Sequence, residues 1–339
     1  MKIIIGANPP DNAPQPKTLR VDDEDAGRRL DNFLMRQLKG VPKTHVYRII
    51  RSGEVRVNKG RASADRRVDA GDLVRLPPVR TSPRAQAKAD AMAQAVNGPH
   101  APAREFPVLF EDDWLLAVDK PAGLAVHGGS GVSFGVIEQL RMARPQARFL
   151  ELVHRLDRET SGILLIAKKR SALTHLQDQF RERETGKTYL ALVVGTWPVR
   201  LKVLDKPLRK YLLSDGERRV QVVAKDHPDA MPSLTLVKVM HQAAGFSLLE
   251  VTIRTGRTHQ IRVHLAAEGL PIAGDEKYGN FEYNKALQRA GNPVPLRRMF
   301  LQAWRLQFNH PHSGERIQLA AELPAELRQF LDHVHPAST

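Results

Sequence analysis

The chain has 339 residues, 42% of them hydrophobic, and its 52 Lys and Arg against 37 Asp and Glu give a formal net charge of +15. That length supports one large core plus a smaller one, and the positive excess points to an anionic partner, nucleic acid ahead of an acidic membrane surface. There is no cysteine, which removes disulfides, cysteine-zinc sites and thiolate catalysis together.

No stretch approaches the ~20 apolar residues of a membrane-spanning helix. The apolar core of the Met1–Gly6 start is too short for a signal peptide, so a cytoplasmic protein is expected, with a monomer as the default. Residues 1–18 are polar and carry Pro9, Pro10, Pro14 and Pro16, which predicts a disordered tail. A regular pattern then runs over residues 19–79. Leu30, Phe33, Leu34 and Leu38 fall at helical spacing. Gly40 and Pro42 punctuate, and Val46, Ile49 and Ile50 mark a second helix that Gly53 ends. Val55 and Val57 alternate like a strand before an Asn58-Lys59-Gly60 turn, and Val68, Leu73, Val74 and Leu76 suggest further short strands. The result is a small ααβ module.

This module is strongly basic. Between Arg36 and Arg67 there are ten basic residues, Lys39 among them, against Glu54 and Asp65. Lys43, Arg48 and Arg51 lie off the Val46/Ile49/Ile50 stripe and are expected to line an exposed helix face. A solvated surface is the plain alternative. The concentration of charge in so few residues favours phosphate binding, and the scarcity of aromatics favours folded RNA read by shape over stacked single strands.

Residues 80–104 are rich in Ala, Pro and charge and predict a linker. The third block, residues 105–335, carries strand patterns at 108–110, 115–118, 162–167, 189–194, 234–240, 246–254 and 301–308. Its helical patterns fall at 136–143, 172–183, 259–267 and 325–334. Several strands follow one another without a helix between them. This predicts an α+β domain with a mixed, mainly antiparallel sheet.

Two stretches invite a chemical reading. Residues 127–135, "HGGSGVSFG", contain His-Gly-Gly and a G-x-S-x-G that imitate a serine hydrolase. A nucleophile elbow needs a buried strand before it, and no strand pattern precedes Gly131, so a glycine-rich loop is the better reading. Residues 152–169, "LVHRLDRETSGILLIAKK", set one carboxylate, Asp157, between Arg155 and Arg158, ahead of a Thr-Ser-Gly turn and an apolar strand. An aspartate near arginines is most often a structural ion pair. Here the placement suggests a sheet edge facing a cleft, and nearby guanidinium groups favour an ionised carboxylate, which serves as nucleophile or base. The chain returns with "RTGRTHQIRVHLAAEG", residues 254–269, bringing Arg254, Arg257, His259, Gln260 and Arg262. "GKTYLALVVG", residues 186–195, offers Tyr189 as core or as a platform for a base.

The run His154-Arg155-Leu156-Asp157-Arg158-Glu159-Thr160-Ser161-Gly162 resembles the signature of the RluA-type pseudouridine synthases. "KTYLALV" and "TGRTHQIRVHL" resemble two further motifs of that family, in its order, and residues 19–78 resemble the S4-like RNA-binding domain that precedes the catalytic domain in several members. The resemblance covers about residues 19–330 and implies isomerisation of uridines to pseudouridine in large-subunit (23S) ribosomal RNA, or in a precursor of that subunit, with no cofactor and no metal. It implies that Asp157 is the catalytic aspartate and that Arg262 pairs with it. Tyr189 would stack on the uracil, and Arg155 would fill the gap left by a flipped nucleotide. His154, Arg257, His259 and Gln260 would join Arg155 in substrate binding, with Lys43, Arg48 and Arg51 on the small module. Two places depart from the pattern, Glu159 and "AGDEKYGN", residues 273–280; both are expected to bear on substrate choice and not on activity. The competing reading is a non-catalytic RNA-binding or ribosome-assembly factor, for which a carboxylate among phosphate-binding arginines is a handicap.

Overall fold

The computed structural model describes residues 16–22, 25–38, 41–79, 102–128, 134–214, 217–289 and 291–335. They fall into two units, Met1–His100 and Ala101–Thr339. Most of the expected tail, Lys39, Gly40, the expected linker up to residue 101, and Gly131 and Ser133 of the G-x-S-x-G lie outside the described residues.

In the first unit the helical spacing does what it predicts. Helix α1 (Leu30–Gln37) buries Leu30, Phe33 and Leu34, and α2 (Lys43–Arg51) buries Val46, Ile49 and Ile50. Residues three and four apart share a helix face, so both stripes turn inward. They meet Val55, Val57, Val68, Val74 and Leu76 in one core. Strands β1 (Lys17–Arg20), β2 (Arg56–Val57) and β3 (Leu73–Leu76) form an antiparallel sheet in the order β1-β3-β2. Two details differ from expectation. Lys17 and Thr18, assigned to the tail, pair with Leu76 and Arg75. Val68 is core without being in a strand; only its neighbour Arg67 forms an isolated bridge, with Arg29.

The second unit is built on a ten-stranded sheet. Its strands in chain order are β4 (Val108–Glu111), β5 (Leu115–Lys120), β6 (Glu151–Leu152), β7 (Ser161–Ala167), β8 (Gly186–Val194), β9 (Val203–Asp205), then β12 (Leu234–Ala243), β13 (Phe246–Ile253), β14 (Leu301–Asn309) and β15 (Arg316–Ala320). The main path runs β4-β5-β7-β14-β8-β13-β12-β9, and β15 and β6 pair with β14 and β7. Every pairing is antiparallel except β7 with β14. A separate hairpin joins β10 (Leu208–Leu212) to β11 (Arg218–Val222). The helices are α3 (Val136–Ala143), α4 (Arg170–Glu182), α5 (Gln260–Ala267), α6 (Phe281–Gln288) and α7 (Ala325–Val334). The short strands β6, β9, β10, β11 and β15 and the helix α6 carry too few periodic residues to be read from sequence.

Strand β7 explains the apolar run after Asp157. Ile163 and Leu165 pack with Leu173 and Leu176 of α4, whereas Leu164 and Ile166 pack with Val136 and Leu140 of α3. A strand covered on both faces is apolar at every position. Being paired on both sides, β7 is internal, which corrects the expected sheet-edge position: Asp157 precedes the end of a central strand. Gly162 makes this possible. Its φ is +109°, and a Cβ there would stand 2.2 Å from the Ala303 carbonyl oxygen of β14.

Candidate active site

Leu156 is buried in the core beneath α3 and anchors the loop that carries Asp157. The Thr160 N–H donates to the Asp157 carbonyl at 3.1 Å, closing a turn into β7. From behind, the Lys120 ammonium donates to the carbonyls of Pro121, Leu124 and Arg158 at 2.7, 2.8 and 3.1 Å. Burial pushes this lysine down to about 7, yet all three ammonium donors are used, so it acts as a clamp on the loop. The cleft in front is walled by Arg155, Asp157, Tyr189, Arg257, His259 and Arg262. Strands β8 and β13 and helix α5 thus converge on the β7 loop, and the motifs singled out in the sequence share one cavity.

The electrostatic centre differs from the expectation. Arg158 does not neutralise Asp157: its Nε donates to the Gly123 carbonyl at 2.9 Å and lies 3.4 Å from Glu159. Arg155 is exposed on the cleft wall without an ion pair to Asp157 among the described residues. The guanidinium that reaches Asp157 is Arg262, whose Nη1 lies 3.5 Å from Asp157 Oδ2. Even so, its two-pronged contact goes elsewhere. Nε and Nη2 of Arg262 donate to the two carboxylate oxygens of Asp275 at 2.7 and 2.8 Å. Asp275 also accepts the N–H groups of Lys277 and Tyr278. Burial pushes its carboxyl upward, but Arg262 and these N–H groups outweigh burial and hold it below the usual carboxylate range. Asp275 lies in the "AGDEKYGN" stretch, so the assignment of that stretch to substrate choice alone is corrected: it holds the arginine that faces Asp157. Sequence reasoning missed Asp275; the signal that could have found it is a glycine followed by a lone acid in an otherwise apolar "LPIAGD".

Tyr278 completes this support. Its ring lies 5.1 Å from the Arg262 guanidinium, and its hydroxyl meets His259 Nδ1 at 2.8 Å and Val220 N at 3.1 Å. His259 begins α5 in the left-handed conformation, φ +52°, and its Nε2 stands 3.8 Å from Asp157 Oδ2. Burial lowers the His259 pKa despite the adjacent Asp157, so the imidazole is neutral at neutral pH and Arg262 is the fixed cation at Asp157. Tyr189 is half-buried on the cleft wall. Burial and then the Asp157 charge push its phenol upward, so it stays protonated.

Two expected substrate contacts are corrected. His154 is absent from the cleft wall; its ring stacks on Phe180 of α4 at 4.8 Å and its Nε2 accepts the Leu165 N–H at 3.1 Å. Burial lowers its pKa to about 4. Gln260 is 3% exposed and uses its whole amide internally. Its Nε2 donates to Leu234 O and Thr235 Oγ1, and its Oε1 accepts from Thr255 Oγ1 and Arg257 N. It shapes the loop presenting Arg257 and has no donor or acceptor left for RNA. On the first unit, Lys43, Arg48 and Arg51 are all exposed along α2.

A carboxylate beside a fixed guanidinium and a neutral phenol suits nucleophilic or general-base chemistry on a planar, uncharged group. Residues 114–267 match the RNA pseudouridylate synthase family, and residues 28–74 match the S4 domain. The chain is 48% identical over 320 residues to the ribosomal large subunit pseudouridine synthase C of Yersinia pestis, covering 94% of this chain and 96% of that one. It is 48% identical over 324 residues to the protein of the same name from Escherichia coli (strain K12), covering 96% and 98%. Among solved structures, human RNA Pseudouridylate Synthase Domain Containing 4 superposes with a TM-score of 0.55 at 26% identity, covering 74% of this chain and 97% of that one. The chain therefore belongs to the RluA-type RNA pseudouridine synthases and carries an S4 domain ahead of its catalytic domain.

Proposed function

We propose that this protein isomerises particular uridines of large-subunit (23S) ribosomal RNA to pseudouridine, with Asp157 as the catalytic group. The observation that carries the reading is the Asp157 carboxylate lining a cleft beside Arg262, with Tyr189 lining the same cleft. Asp157 attacks the target nucleotide or takes a proton from its ribose as the bond from C1′ to N1 breaks. The freed uracil turns and forms a bond from C5 to C1′ as the bond from C1′ to Asp157 breaks, or as the ribose proton is returned; the C5 proton is lost and N1 gains one. Atoms and electrons balance within one nucleoside, so the reaction calls for no oxidant, reductant or water. Because the ribose–base bond is hidden in a paired helix, the uridine must leave the stack. Tyr189 stacks on the extruded uracil, Arg262 holds and aims Asp157, and Arg155 and Arg257 meet the surrounding RNA. Lys43, Arg48 and Arg51 bind phosphates on the first unit. The names of the relatives support large-subunit RNA as substrate, and no helix among the described residues is long and apolar enough to cross a membrane.

The test is direct. Purified protein is incubated with unmodified 23S ribosomal RNA, and pseudouridines are mapped; a strain lacking the gene is mapped in parallel. New pseudouridines in vitro at positions lost in the strain are the expected result. RNA binding without isomerisation would leave a binding or assembly factor instead.

A further inference from the structure

The loop that carries Asp157 has a second cavity behind it. This cavity, of about 500 Å³, is lined among others by Arg104, Asp119, Glu159, Arg297 and Pro324. That is the size range of pockets that hold a small organic ligand. The catalytic cleft itself is about 100 Å³. Glu159 follows Asp157 by two residues, so their Cα atoms stand within about 7 Å whatever the loop does. One wall therefore serves both cavities.

Part of the lining is framework. Arg298 is engaged on all sides, with Nη1 at 3.0 Å from Glu326 and its other nitrogens donating to Ser161 and Met299. Lys120 is engaged by its three carbonyls. What remains facing the cavity is different. Arg297 is exposed and makes no ion pair among the described residues. Arg104 lies 5.1 Å from the Phe106 ring and forms no ion pair among them either. Glu159 stands 3.4 Å from Arg158, its one ion pair among the described residues, with the Lys120 and Arg298 charges nearby. Burial pushes the Asp119 carboxyl upward, and the Arg298 charge offsets this only in part. Asp119 also takes a hydrogen bond from Gln302, and Glu159 feels the Lys120 and Arg298 charges. Each carboxyl keeps oxygen lone pairs to spare, so two cations without ion pairs among the described residues and two carboxyls share one pocket that Pro107, Pro121 and Pro324 also line.

The mixture identifies the ligand. A site for phosphate alone excludes carboxylates. A carboxylate facing RNA needs N–H donors, and guanine presents two adjacent ones, N1–H and the exocyclic amino group, matching two carboxylate oxygens. Unpaired bases in RNA are read on this edge and stacked on guanidinium planes. We infer that the cavity lined by Asp119, Glu159 and Arg297 takes an unpaired guanine of the RNA substrate, close in the chain to the uridine held at Asp157. The inference rests on the proposed function and adds to it a second reading site. Glu159 then sets how one carboxylate of that site approaches the base.

The test uses the full-length protein and a stem-loop RNA spanning one uridine mapped in 23S ribosomal RNA. Each unpaired guanosine is replaced in turn by inosine, which lacks the exocyclic amino group but keeps N1–H. With wild type, one such replacement is expected to raise KM about tenfold while kcat stays within about twofold, the signature of lost uniform binding. In Asp119→Asn, KM is expected to start about tenfold higher and the same inosine to add less than about twofold, because coupled groups are non-additive. Glu159→Gln, on an exposed turn, repeats the measurement in a variant with little risk to folding. If no inosine raises KM, or if its full effect persists in both variants, the inference is overturned. Arg297→Ala raising KM with no inosine effect would mean a phosphate site and overturn it as well. Zero turnover by wild type would overturn the proposed function and this inference with it; turnover without an inosine effect would overturn the inference alone.

Discussion

Arg262 touches two carboxylates, and they are treated in opposite ways. The Asp275 side chain is 1% exposed, takes both prongs of the guanidinium at 2.7 and 2.8 Å, and accepts two backbone N–H groups. The Asp157 side chain is 20% exposed and receives one long contact of 3.5 Å from the same arginine. A fully satisfied carboxylate is a structural part; its lone pairs are committed. A carboxylate beside a positive charge but short of donors keeps its lone pairs available for a substrate. The firm bonds therefore belong to the support and the weak one to the group that reacts.

The sharpest way to break this contrast is to change each carboxylate in turn. Asp157→Asn is expected to lower isomerisation by at least ~10³-fold, since an amide is neither nucleophile nor base, while thermal unfolding and RNA affinity stay close to wild type. Single-turnover assays and RNA titration check this; substantial remaining turnover would remove Asp157 from the mechanism. Asp275→Ala is expected to do the reverse in stability. It leaves a buried arginine charge without its partner and should cost about 3–5 kcal/mol, read in denaturant unfolding. If Asp275→Ala unfolds like wild type, the support role assigned to this pair is wrong.

Arg262→Lys asks which contact matters. A lysine keeps the charge near Asp157 but cannot fork onto Asp275. Activity should fall by roughly 10²-fold, accompanied by a lower unfolding midpoint, an effect of misplacement by a fraction of an ångström. A variant with normal stability and low activity would shift the weight from the fork to the Asp157 contact.

The smallest expected effect concerns His154, on the α4 side of β7. Its folded value of about 4 lies below the ordinary 6.5. Between those values the unfolded chain binds more protons than the folded one, so stability falls as pH falls through that window and is fully present above it. His154→Gln keeps an acceptor for the Leu165 N–H and removes the titration. Its unfolding midpoint should depend less on pH from 6.5 down to about 4; an unchanged slope would show that His154 does not titrate on unfolding.

Much of this architecture is decided locally. The spacings of Leu30, Phe33 and Leu34, and of Val46, Ile49 and Ile50, place two helices because a helix repeats its face every three to four residues. The unbroken apolar run from Ile163 to Ala167 marks a strand buried on both sides, and helices α3 and α7 begin and end where the pattern does. Charge density singled out Asp157 and the basic face of α2 for the same local reason. Side-chain direction is another matter. His154 and Gln260 sit inside motifs that line the cleft, yet one points to α4 and the other is consumed by strand β12 and its own loop. Arg155 and Arg158 flank Asp157 in the chain, yet the guanidinium that meets it comes from 105 residues away and is oriented by an aspartate on a third segment. Neighbours in sequence share a stretch of backbone, but partners in space depend on which way each side chain leaves it, and that is settled only when β7, β8, β13 and α5 pack together.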